Sequence, residues 1–148
     1  MDEALIIIGV DGSPTAARAV QWAADNAPLL NARVIVAYAF EPPVPLLPTT
    51  VSALPAPFDG TWQHEVRTAL ETEWCAPLRD ADVKYDARIV AGDPATALID
   101  CAREEGATLI VVGRRGRNPL TELALGSVSH RLCRHAPCPV LVVPAPAQ

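Results

Sequence analysis

An open, doubly wound five-stranded parallel sheet with helices on both faces, a Rossmann-like α/β fold, is the fold class the sequence predicts, on three observations. Short β-branched runs alternate with helical patterns in the order β-α-β-α-β-α-β-α-β, which only crossover connections can accommodate. The runs are nearly continuous in apolar residues instead of alternating, as expected of strands covered on both faces. The chain has 148 residues, the size of one domain, enough to bury roughly 70% of the unfolded surface in one core.

The strands are read at residues 5–10, 33–39, 84–90, 109–112 and 140–143. The first helix starts at Ser13-Pro14, a capping hydroxyl followed by a residue with φ already set for a helix. Ala16, Ala19, Val20, Ala23, Ala24 and Ala27 then recur at helical spacing. A second helix is expected from about residue 61 to about 79, with Val66, Leu70 and Trp74 inward and Pro77 kinking or ending it. Asp93-Pro94 repeats the capping device, and that helix stops at Gly106. The last helix runs from Ser127 to about His135 after Gly126. Between the second strand and second helix, residues 41–60 hold Pro42, Pro43, Pro45, Pro48, Pro55 and Pro57 with no period, and are read as a long Pro-rich surface loop.

Composition narrows the function. With 12 basic and 17 acidic residues the net charge is −5, whereas nucleic-acid binders concentrate Lys and Arg against phosphate backbones, so no nucleic-acid partner is expected. The acidic Met1-Asp2-Glu3 opening has no basic region ahead of its apolar run, so no secretory leader is read. The apolar runs fall far short of the 18 or so residues of a membrane span. A soluble, cytoplasmic chain without a membrane partner is the expectation, with Cys75, Cys101, Cys133 and Cys138 as reduced thiols.

The chemistry concentrates at Val111-Val112-Gly113-Arg114-Arg115-Gly116 and, after nine intervening residues, Gly126-Ser127-Val128-Ser129. Glycine lets a ligand approach main-chain N–H groups without a Cβ in the way. A helix N-terminus with free N–H groups is a site for phosphate. Ser127 and Ser129 offer hydroxyl donors, and Arg114, Arg115 and Arg117 local positive charge. The first strand ends in a similar small-residue turn, Val10-Asp11-Gly12-Ser13. If strands one and four are neighbours, both turns flank one crevice at the carboxyl ends of the strands, where such sheets bind ligands. Asp11 is then placed to accept from ribose hydroxyls, or else caps the turn before the first helix.

The spacing Gly113-x2-Gly116-x9-Gly126-Ser127 resembles the ATP-binding motif of the universal stress proteins. Val10-Asp11-Gly12-Ser13, Gly92-Asp93-Pro94 and the ending from His135-Ala136-Pro137-Cys138-Pro139 to Pro144 resemble the same family. The likeness covers essentially the whole chain except the Pro-rich insertion. It implies a sheet order of 3-2-1-4-5 and a bound ATP accompanied by Mg2+ or Mn2+. It further implies that Val10, Asp11 and Ala39 line the adenosine, that Gly113 approaches the ribose, and that Gly116, Gly126, Ser127, Val128 and Ser129 hold the phosphates. The family's edge-to-edge pairing of its last strand implies a homodimer through Val140–Val143. The spacer between Gly116 and Gly126 departs from the family in carrying Pro119 and Glu122 instead of small residues.

Other constellations carry less. His130, Cys133, His135 and Cys138 have ligand-type side chains, but their spacing fits no common zinc module and Pro137 interrupts it. Ser13, Ser127 and Ser129 lie in no nucleophile elbow, and no P-loop lysine follows the glycines. Trp22, Trp62 and Trp74 are read as packing residues. The expectation is an ATP-binding regulatory protein of the stress response. Its alternatives are a slow ATP hydrolase on the same site and a nucleotide-free dimerisation module.

Overall fold

The computed structural model describes residues 2–41, 61–114 and 125–144. Five parallel strands form one sheet: β1 (Ala4–Val10), β2 (Ala32–Phe40), β3 (Tyr85–Ala91), β4 (Leu109–Gly113) and β5 (Val140–Val143). Their order is β3-β2-β1-β4-β5. The connections are α1 (Pro14–Leu30), α2 (Thr61–Ala69), α3 (Ala76–Asp80), α4 (Pro94–Glu105) and α5 (Ser127–His135).

The apolar runs are explained by two cores. Ile6, Ile8 and Val10 of β1 face the side covered by Val20 of α1, Val66 of α2 and Leu78 of α3. Leu5 and Ile7 face the opposite side, covered by Leu98 and Ile99 of α4 and Leu132 of α5. Alternate residues of one strand thus enter different cores, both apolar, and the period-two signal vanishes. β3 is an edge strand in which no residue is fully buried.

Caps fall where the sequence places them. The Ser13 hydroxyl accepts from the Ala16 N–H at 3.2 Å, and Gly106 closes α4 with φ 68°. The second helix differs from expectation: it breaks into α2, a π turn at Leu70–Trp74 and α3. Pro77 has no N–H to give to Glu73, and its ring crowds that carbonyl. The ladder therefore widens one turn early, with the Cys75 N–H reaching the Leu70 carbonyl at 3.1 Å. Trp74 emerges half-buried, its ring stacked on Tyr38 at a centroid distance of 5.8 Å. Trp22, Trp62 and Trp74 all pack against the first core. The expected Pro-rich loop at 41–60 lies, beyond Glu41, outside the described residues.

The topology positions the site. From β1 the chain winds outward through β2 to β3, then crosses by α4 to β4 on the other side of β1. Ile6, Ile7 and Ile8 of β1 pair with Leu109, Ile110 and Val111 of β4. The helices that follow these two strands, α1 and α5, pack on opposite faces of the sheet and leave a crevice at the strands' carboxyl ends.

Candidate functional site

The crevice is a cavity of about 280 Å³. That is close to the lower end of small-molecule sites, roughly 300–1,000 Å³. Its floor is the end of the sheet, with Gly9, Val10, Ala37, Ala39 and Val112. Pro94 and Leu98 of α4 form one wall, and Gly126, Ser127, Val128 and Ser129 at the start of α5 form another. Asp11, Ser13 and Gly113 complete the lining. Eight of the nine site residues expected from the sequence, Val10, Asp11, Ala39, Gly113, Gly126, Ser127, Val128 and Ser129, thus meet in one cavity. The ninth, Gly116, lies outside the described residues, as do Arg115, Arg117, Pro119 and Glu122.

Each is placed by identifiable local chemistry. Asp11 forms a turn in which its Oδ1 accepts from the Ser13 N–H at 2.9 Å, the capping reading of that residue. Its second oxygen takes no partner among the described residues. Ser13 is held between the Ala16 N–H and the Thr15 hydroxyl, 3.3 Å away. Gly113 is required by packing: a Cβ there would lie 2.5 Å from Thr15 Oγ1 and 2.9 Å from the Thr15 carbonyl carbon. β4 therefore runs against the first turn of α1, and Gly113 answers to the protein's own backbone as well as to any ligand. Gly9, which the sequence reading passed over, is also closely approached, with Leu98 Cδ1 at 2.7 Å and Val112 Cγ1 at 3.2 Å from its missing Cβ, though these are side-chain methyls that can shift, unlike the Thr15 backbone at Gly113. A glycine interrupting an apolar strand is the signal that marks such close approach.

The α5 terminus is the electropositive end. Ser13 and Asp93 cap α1 and α4 through their side chains, whereas α5 begins at Gly126 with no side-chain cap. The first intrahelical bond runs from the His130 N–H to the Gly126 carbonyl at 2.9 Å. The N–H groups of Ser127, Val128 and Ser129 precede it and have no intrahelical acceptor. Their dipoles favour an anion in the cavity. Ser129 behaves differently from Ser127. It is buried, and its hydroxyl donates to the carbonyls of Arg114 at 3.0 Å and Gly126 at 3.1 Å. The Gly126 N–H donates to the same Arg114 carbonyl at 2.7 Å. Ser129 thus fastens α5 to the end of β4, and what it turns toward the crevice as a free donor is its main-chain N–H. Arg114 Nε is a buried donor without a partner, beside this junction.

Residues 5–144 match the family model described as the universal stress protein family. The chain belongs to that family. A universal stress protein of Thermus aquaticus is 35% identical over 139 residues, covering 93% of this chain and 96% of that one. Another, from Mycobacterium tuberculosis strain H37Rv, is 35% identical over 145 residues, but the chain spans only 46% of its length. Among solved structures, a universal stress protein from Burkholderia pseudomallei is 32% identical, covers 96% of both chains and superposes with a TM-score of 0.73. A universal stress protein in complex with cAMP is 28% identical, covers 99% of this chain and all of its own, and gives a TM-score of 0.73.

The family's sheet order is the one found here. Of the candidate ligand thiols, Cys138 in the family-like ending is half-buried and Cys133 of α5 is exposed. No group of three His, Cys, Asp or Glu side chains converges on a metal position among the described residues. Nor is any helix among them long and apolar enough to cross a membrane.

Proposed function

We propose that this universal stress protein binds an adenine nucleotide, ATP with Mg2+ or Mn2+, in the crevice between the β1 and β4 loops. One observation carries the reading: an apolar slot at the strand ends leads to the only uncapped N-terminus among the three helices that line it. The likeness to a family member in complex with cAMP supports it, since that ligand also joins adenine to phosphate.

The slot is built for a flat apolar base and the polar end for its phosphates. Val10 and Ala39 line the adenosine, the second Asp11 oxygen accepts from a ribose hydroxyl, and Gly113 approaches the ribose with its main chain. Gly116, Gly126 and the N–H groups of Ser127, Val128 and Ser129 hold the phosphates, with the Ser127 hydroxyl as a further donor. With no acidic cluster among the described residues, a divalent ion would be held chiefly by phosphate oxygens and water. Asp11 is the sole titratable side chain among the described lining residues, so the site is read as one for holding nucleotide, with occupancy as the signal in a cytoplasmic stress response. The outer edge of β5, Val140–Val143, the last strand of the sheet, pairs with a second copy to give a homodimer.

Calorimetric titration of ATP and magnesium tests the site. The wild type is expected to bind, and Gly126→Asp, which sets a carboxylate against the phosphate end, to lose at least tenfold in affinity. Equal affinities for the two proteins would remove the α5 terminus from the site.

A further inference from the structure

The two walls of the crevice come from different helices, and something must set the distance between them. Deep in the fold, Leu98 and Ile99 of α4 share a core with Leu132 of α5. At the rim the joint is polar. Arg131 Nη1 makes an ion pair with Asp93 Oδ2, and Arg131 Nη2 donates to Thr96 Oγ1 at 3.1 Å. The same Asp93 oxygen accepts from the Thr96 N–H at 3.0 Å and from the Thr96 hydroxyl at 2.9 Å.

Asp93 therefore does two things with one atom. As the α4 cap it needs only an acceptor, which a serine would supply as well. The carboxylate is needed for Arg131. Arg131 lies four residues beyond Ser127, one turn along the same face of α5, so a shift of one carries the other. Asp93 immediately precedes Pro94, part of the opposite wall. Among the described residues, the other polar anchor of α5 is the Arg114 carbonyl, at the end of β4.

We propose that Asp93 and Arg131 are positioning residues, a clasp between α4 and α5 that holds the first turn of α5 at the spacing a phosphate-bearing adenosine requires. The assignment rests on the nucleotide-binding reading above. The pair is exposed, with 46% and 36% of the Arg131 and Asp93 side chains accessible. Such pairs add little to global stability. Their position across a ligand crevice is where a small local contribution is felt in binding.

The test is to measure the affinities of the full chain for ATP with magnesium by calorimetry, and for adenosine by competition. Arg131→Gln and Asp93→Ser, the latter keeping the α4 cap, are each expected to weaken ATP roughly three- to fivefold while leaving adenosine unchanged. Arg131→Lys restores most of that loss, and the double variant loses no more than either single one. Unchanged ATP affinity in Arg131→Gln and Asp93→Ser, or an equal loss for ATP and adenosine, overturns the clasp while nucleotide binding stands. A wild type that binds neither ligand overturns the binding reading, and the clasp falls with it.

Discussion

At Gly113 the strand end and the first helix meet so closely that no side chain fits between them. Gly113→Ala sets a methyl group within 2.5 Å of Thr15 Oγ1 and 2.9 Å of its backbone, and the backbone contact cannot be relieved by a rotamer change. The variant is expected to lose about 1–3 kcal/mol, read as a lowered urea midpoint at constant slope. The glycine pattern was legible in the sequence, but its cause was only half visible, because the partner, Thr15, lies almost a hundred residues away. Ser129 is similar. Its place at a helix start is a sequence property, whereas the engagement of its hydroxyl by Arg114 depends on where β4 ends. Asp93 carries a consequence for pH. The Thr96 N–H foremost, then the Thr96 hydroxyl and Arg131, hold its carboxyl below the ordinary 3.8. A carboxyl depressed in the folded state contributes stability that is fully present above 3.8 and is lost as pH falls through the lower, folded value. Asp93→Asn should therefore flatten the acid limb of a stability profile measured below pH 4, leaving the slope above pH 5 unaltered.

At the scale of elements, the five strands and most helix boundaries follow from pattern and caps, and the strand ends observed differ from the expected ones by at most one residue. The helix expected from 61 to about 79 is found over 61–80, but its interruption begins at Leu70, ahead of Pro77, for a local reason. Pro77 was recognised as a breaker, but sequence periodicity does not say whether the ladder yields at the proline or a turn before it. The π turn takes up the strain, and α3 is left with five residues, too short to stand by propensity. Its anchor is Leu78, fully buried against the first core. Leu78→Ala is expected to cost about 2–5 kcal/mol and to lower the thermal midpoint by several degrees. Beside it, burial pushes the Cys75 thiol up to about 11. Cys75 should resist a maleimide at pH 7 until the protein unfolds, while exposed Cys133 reacts in the native state. Labelling of Cys75 at the rate of Cys133 would mean that the α3 packing is loose.

For the molecule as a whole, the sheet order decides where function sits, and that order was legible only through family resemblance. Composition and periodicity allow many doubly wound sheets; they do not say which strand neighbours β1. Once β4 lies beside β1, eight residues scattered from Val10 to Ser129 converge on one crevice. Pro94 and Leu98 of its α4 wall were not legible as site residues, because they carry no chemistry beyond their shape. Association belongs to this scale too. Val142→Lys on the edge strand β5 is expected to turn a dimer into a monomer in sedimentation. A wild type that sediments as a monomer at all concentrations would contradict the edge-pairing proposal.

The central claim is that the crevice holds an adenine nucleotide. The most direct measurement is to denature freshly purified protein and identify what it releases by chromatography and mass spectrometry. ATP at close to one per chain is the predicted result. Protein that releases no nucleotide, and whose melting temperature does not move when ATP and magnesium are added, would contradict it.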